Sequence, residues 1–158
     1  MNIRLIKATE SDATAIFDMQ KIAFLPLLET YKDYDTNPAN EQIDRVISRI
    51  HRPNGGFYKI IFDDLLVGAI GIYAVEKTQF WISPMFILPH YQGKGIAQKA
   101  ICLAEEIFPE ATSWELKTLL EEKRNCYLYE KMGYEQIGER TKLNEDATLV
   151  HYEKKLSN

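Results

Sequence analysis

Cysteine is scarce in this chain, and so is any excess of positive charge. Its two cysteines, Cys102 and Cys126, fall in segments with helical patterning and lack metal-like spacing, so they read as free thiols of a reducing compartment. Nineteen Lys and Arg stand against 23 Asp and Glu, for a net charge of −4 and a pI of about 5.4. No global basic field therefore favours nucleic acid or an anionic membrane, and neither is expected as a partner. No hydrophobic run approaches transmembrane length, and Met1 to Lys7 lacks the apolar core of a signal peptide; the expectation is a soluble, cytoplasmic protein. Repeats, linkers and low-complexity tracts are absent as well, which leaves residues 1–158 as a single domain. One further absence bears on chemistry: no Asp or Glu occurs between Glu76 and Glu105.

What is present is an ordinary globular composition, 46% hydrophobic and 27% charged. Residues 2–8 read as a short strand. Thr9 then opens a helix whose first turn carries acidic residues, with Pro26 expected to end or kink it. A polar, turn-rich stretch from Glu29 to Asn40 precedes a second helix over about 39–51, with Ile43, Val46, Ile47 and Ile50 on one face. Strands over 57–62 and 65–75 flank a hairpin turn at Asp63-Asp64, and a third apolar strand covers 80–88. A helix over 93–106, a strand over 113–118, a helix over 121–132 closed by Gly133, and two final strands over 134–140 and 147–155 complete the order. The order β-α-α-β-β-β-α-β-α-β-β predicts an α+β domain: a mostly antiparallel mixed sheet with helices on both faces.

The run from Phe86 to Ala100 carries the most information. An apolar strand reaches Pro89, a glycine-rich turn follows, and a helix opens at once. That leaves backbone N–H groups unpaired at a helix N-terminus, where an anion binds readily. Two familiar cradles do not fit: a dinucleotide fingerprint needs a small residue where Gln98 stands, and a Walker A loop needs Lys-Ser or Lys-Thr after Gly95 rather than Ile96-Ala97. The pattern Gln/Arg-x-x-Gly-x-Gly/Ala fits, through Gln92, Gly95 and Ala97. This resembles the pyrophosphate loop of the GNAT superfamily of acyl-CoA-dependent N-acyltransferases. The element order is similar over nearly the whole chain, and so is the Leu128-Tyr129-Glu130-Lys131-Met132-Gly133-Tyr134 segment.

The resemblance implies acetyl-CoA as co-substrate and transfer of its acetyl group to a primary amine of a small molecule or peptide, by direct attack in a ternary complex. It implies two parallel strands that splay apart, with the pantetheine arm held by the backbone of Met85, Phe86 and Ile87. It implies a pyrophosphate held by Gln92, Gly93, Lys94, Gly95, Ile96, Ala97 and Gln98, with Lys94 and Lys99 as candidate sources of charge. Tyr129 takes the place of the tyrosine near the cofactor sulfur, where a phenol can protonate the departing thiolate. Asn125, one helical turn earlier, is placed to bond the pantetheine. One departure stands out: many relatives carry asparagine seven residues before the tyrosine, and here that residue is Glu122.

No general base is legible. Glu29, Asp33, Asp35, Glu76 and His90 are candidates, and each also reads as a solvated surface residue. The segment Thr30 to Asp35 mixes acids and tyrosines in a way that suits a cationic amine, or an ordinary hydrophilic loop. Two other functions remain open on sequence, a non-catalytic acyl-CoA sensor and a nucleotide-binding domain using the same loop, and a homodimer is compatible with either.

Overall fold

The computed structural model describes residues 2–156. Seven strands form one sheet: β1 (Ile3–Lys7), β2 (Gly55–Phe62), β3 (Leu65–Glu76), β4 (Gln79–Ile87), β5 (Ser113–Leu119), β6 (Glu135–Asn144) and β7 (Ala147–Lys155). Their spatial order is β1-β2-β3-β4-β5-β7-β6, and every neighbouring pair is antiparallel except β4 with β5. Four helices cover it: α1 (Ala13–Tyr31), α2 (Ile43–Ile50), α3 (Ile96–Ile107) and α4 (Lys123–Lys131).

The expected α+β architecture is thus present, with a core on each side of the sheet. On one side Ile16, Met19, Val46 and Ile50 of α1 and α2 meet Phe57, Ala69 and Phe86. On the other, Ile96, Ala100, Ile101 and Ala104 of α3 and Tyr129 of α4 meet Ile70, Phe80, Trp114 and Leu116. No helix of the described residues is long and apolar enough to cross a membrane.

Local chemistry explains where the elements begin and end. Asp63 and Asp64 both adopt positive φ, the two-residue turn whose twist matches a β-hairpin. Asp12 closes a capping box on Thr9, accepting the Thr9 N–H at 2.8 Å and Lys59 Nζ at 3.1 Å. The first turn there is 3₁₀ (Glu10–Asp12), so α1 proper starts at Ala13. Pro26 does not end the helix. It sits within α1, on the exposed side, where water can reach the Ile22 carbonyl that loses its partner; Thr30 Oγ1 bonds back to the Pro26 carbonyl at 2.9 Å. The first three residues of the expected polar stretch from Glu29 to Asn40 are therefore helical rather than loop.

Helix α2 starts four residues later than the sequence suggests, because Pro38–Asn40 forms a separate 3₁₀ turn capped by Asn37. Beneath it Arg49 makes a two-pronged ion pair with Glu41, at 2.6 and 2.7 Å, and Gln20 adds a bond to the same carboxylate. Although burial opposes it, this pairing with Arg49 holds the Glu41 carboxyl below its ordinary pKa.

Candidate active site

The parallel pair β4–β5 is joined over only three residues, Gln79↔Ser113, Phe80↔Trp114 and Trp81↔Glu115. Beyond Trp81 and Glu115 the two strands part, while β4 stays bonded to β3 and β5 to β7. The result is a wedge inside the sheet, bordered on one side by Met85, Phe86 and Ile87. These three were expected to hold an extended arm, and all three line the main cavity of about 390 Å³. One of the acceptors is already engaged: Gln92 Nε2 donates to the Ile87 carbonyl at 2.9 Å. Gln92 therefore braces the loop against the strand that precedes it.

The loop after β4 ends at the N-terminus of α3. Gly93 and Gly95 have φ of 76° and 79°, a conformation that disfavours other residues. A Cβ at Gly95 would meet nothing within 4 Å, so no protein atom accounts for its smallness. The N–H groups of Gly95, Ile96, Ala97 and Gln98 donate to no backbone or side-chain acceptor among the described residues. All four residues face the cavity. Four unpaired donors at the positive end of a helix, backed by open space, make a site for an anion.

Lys94 and Lys99 are exposed and do not line this cavity. The cation that does is Arg124, whose Nη2 lies 3.5 Å from the point where a Cβ of Gly93 would stand. The sequence held a clue to it, since Lys123-Arg124 opens α4 with positive charge at the end a helix dipole disfavours.

Helix α4 supplies the third wall through Asn125, Leu128 and Tyr129. Asn125 makes no side-chain hydrogen bond among the described residues and is free to meet a ligand. Tyr129 is 7% exposed, packed between the rings of Tyr134 and Tyr152 at 6.1 and 6.0 Å. Its hydroxyl has no partner among the described residues, which sets it apart from its neighbours: Tyr134 is bonded to Glu105 and Tyr152 to Glu130. Burial pushes the Tyr129 phenol well above its ordinary pKa, with the nearby Cys126 thiol adding to the effect. At neutral pH it is a protonated donor aimed at no protein acceptor.

Glu122 stands at the N-cap of α4 and also lines the cavity. Its Oε1 accepts the Tyr31 hydroxyl at 2.7 Å, tying the last residue of α1 to the start of α4. Burial and this carboxylate push the Tyr31 phenol up to about 12. Among the earlier candidates for a base, Asp33 is buried and occupied by Asn37 Nδ2 at 3.1 Å, and Glu29, Asp35, Glu76 and His90 do not border the cavity.

The acetyltransferase (GNAT) family model matches residues 15–134. The chain belongs to that family. Solved structures agree on the fold of this GNAT acetyltransferase at low sequence identity. The PaiA N-acetyltransferase from Thermoplasma acidophilum, in complex with coenzyme A, superposes with a TM-score of 0.76 at 16% identity, covering 99% of this chain and 100% of that one. The ribosomal-protein-S18-alanine N-acetyltransferase from Escherichia coli gives 0.78 at 9% identity, covering 99% and 96%. YncA from Salmonella typhimurium, solved with its cofactor acetyl-CoA, gives 0.74 at 12% identity, covering 100% and 96%. No curated protein sequence matches this one.

Proposed function

We propose that this acetyltransferase moves the acetyl group of acetyl-CoA to a primary amine of a small molecule or peptide, by direct attack within a ternary complex. The observation that carries the reading is convergence: one cavity brings together unpaired α3 donors, the parted edge of β4 and the free hydroxyl of Tyr129. Each part matches one region of the donor. The pyrophosphate lies on the N–H groups of Gly93 to Gln98 with Arg124 alongside, and the pantetheine arm runs along Met85 to Ile87 past Asn125. The sulfur ends near Tyr129.

The chemistry follows from that placement. The amine nitrogen attacks the thioester carbon, the C–S bond breaks, and its electron pair goes to sulfur. Tyr129 donates its O–H to the developing thiolate. An ordinary phenol is about 1.5 pKa units weaker as an acid than an ordinary thiol, a difference of about 2 kcal/mol. Desolvation in the shared pocket raises both groups, so the hydrogen bond stabilises the leaving group as the bond breaks. A partner-free hydroxyl facing the cavity at this position favours a catalyst over a non-catalytic acyl-CoA sensor.

The test is CoA release, followed with a thiol reagent, from acetyl-CoA and a panel of primary amines: alkylamines, spermidine, free amino acids and a short peptide with a free N-terminus. The expected result is acceptor-dependent release that saturates in both substrates. Tight acetyl-CoA binding with no release above hydrolysis for any amine would overturn the transferase reading in favour of a sensor.

A further inference from the structure

We propose that His151 and Glu115, on the face of the sheet opposite α3 and α4, form the general base that deprotonates the acceptor amine; this deepens the transferase reading and rests on it. Glu115 is the last residue of β5 paired to β4, directly beside Trp81. Its neighbour Trp114 points into the α3 core, so Glu115 points the other way, as adjacent strand residues must. His151 of β7 is the register partner of Lys117, two residues farther along β5 and therefore already within the parted region. Its Nε2 lies 2.9 Å from Glu115 Oε1. The imidazole stacks on Trp81 at 5.0 Å, and Trp81 in turn stacks on Tyr73 at 6.3 Å, with the Arg52 guanidinium over the Tyr73 ring at 4.2 Å.

This stack crosses the sheet where β4 and β5 are last joined and holds the imidazole in orientation. Glu115 and His151 keep 12% and 23% side-chain exposure, sheltered yet reachable. Helices α1 and α2 make their main packing on this side against β2, β3 and β4. An amine can therefore arrive here while acetyl-CoA fills the α3 and α4 side.

The pair suits a base. A carboxylate can only accept, so Glu115 takes the Nε2–H and leaves the lone pair on Nδ1. Lys117 lies about 7 Å along the strand beyond the last β4–β5 pair, and Met85 about 13 Å beyond it. Neither His151 nor Glu115 lines the cavity itself, and β5 and the opened gap lie between β7 and β4, so the proton reaches His151 through a short chain of waters in the wedge. The proton balance is complete. The incoming ammonium gives one proton through those waters to Nδ1, and His151 later releases it to solvent. The neutral nitrogen forms the C–N bond, the C–S bond breaks, and sulfur takes the proton of Tyr129. The second proton leaving nitrogen restores the Tyr129 phenol. The other charged groups placed on this face beside His151 are Lys117 of β5 and Glu153 of β7, with Glu135 of β6 opposite Glu153.

The test compares wild type with His151→Gln across pH 7 to 9, using whichever amine of the panel the wild type acetylates fastest. A base supplied by the protein makes the wild-type rate nearly flat in this range. Without it, only the already neutral amine reacts. His151→Gln is then slower at pH 7 by about 10²–10⁴-fold, and recovers about tenfold per pH unit up to the amine's own pKa. Acetyl-CoA affinity stays at the parental value. Glu115→Gln, which keeps the packing and acts only through the imidazole, shows the same pH recovery from a smaller loss, and carries the test if His151→Gln melts below the assay temperature. A variant slowed equally at every pH, or not slowed at all, overturns the assignment of the base and leaves the transferase reading standing. A wild type that binds acetyl-CoA and acetylates no amine overturns the transferase reading, and this proposal with it.

Discussion

Gly95→Ala separates what the fold needs from what the ligand needs. The residue has φ of 79°, where an L side chain costs about 1–2 kcal/mol. An added Cβ meets no protein atom within 4 Å, so nothing further is lost on folding. For a domain of this size 1 kcal/mol moves Tm by about 2–4 °C, giving an expected fall of about 2–8 °C. Binding is hit differently, because the methyl enters the space assigned to the pyrophosphate and displaces it from the N–H groups. Loss of two charge-assisted hydrogen bonds, at about 1.5–3 kcal/mol each, weakens acetyl-CoA by roughly 10²–10⁴-fold. Thermal melts with and without acetyl-CoA read both effects together. At a hundred times its Kd the ligand stabilises the parent by about 2.7 kcal/mol, a shift the variant should lose. A variant that melts only slightly lower yet binds acetyl-CoA like the parent would refute the cradle. A variant that fails to fold would refute the claim that no protein atom crowds Gly95.

Three further outcomes are expected. Tyr129→Phe should lower kcat by about 10²–10⁴-fold with acetyl-CoA affinity and Tm unchanged, since the hydroxyl has no partner to lose, while Tyr127→Phe, exposed on another face of α4, should retain parental turnover; parental kcat in Tyr129→Phe would make Tyr129 a packing residue. Arg124→Ala should weaken acetyl-CoA by roughly tenfold at low salt, about 1.5 kcal/mol, with the gap closing as salt rises; calorimetry at two ionic strengths checks it, and a salt-independent effect would count against a charge contact. Glu41→Gln strands the buried Arg49 and should cost about 3–5 kcal/mol at pH 7 by chemical denaturation. Because Glu41 titrates below its ordinary value of 4.5 when folded, its contribution is full above that pH and fades as pH falls through the folded value, so the parent should lose stability there faster than the variant.

The parts of the site that were readable in the sequence are those made by consecutive residues. A strand, two glycines and a helix start fix a donor-rich turn whatever surrounds them, and a tyrosine placed four residues before a helix-closing glycine keeps its place on the helix. Residues brought together by topology were not readable. Glu115 and His151 are 36 positions apart and meet because β7 enters the sheet between β5 and β6. The sequence offers Glu29, Asp33, Asp35, Glu76 and His90 as bases, and neither Glu115 nor His151 stands out among its residues without that insertion. Arg124 was passed over in favour of Lys94, since proximity in sequence to the glycine loop stood in for proximity in space. Pro26 was read by its usual effect on an isolated helix. Packing of Ala23, Phe24 and Leu28 on either side outweighs that effect here.

The parting of β4 and β5 also gives the empty protein a seam. Most sheets hide every backbone edge except the outer two, and an uncovered edge invites pairing with a second chain. Here an additional pair of edges faces inward, between strands each anchored on its far side. They remain open until an extended ligand lies between them. In the proposed complex the pantetheine arm completes the sheet as a removable strand would. If acetyl-CoA binds as proposed, the donor-free protein is the form whose inner backbone edges stand open to another chain.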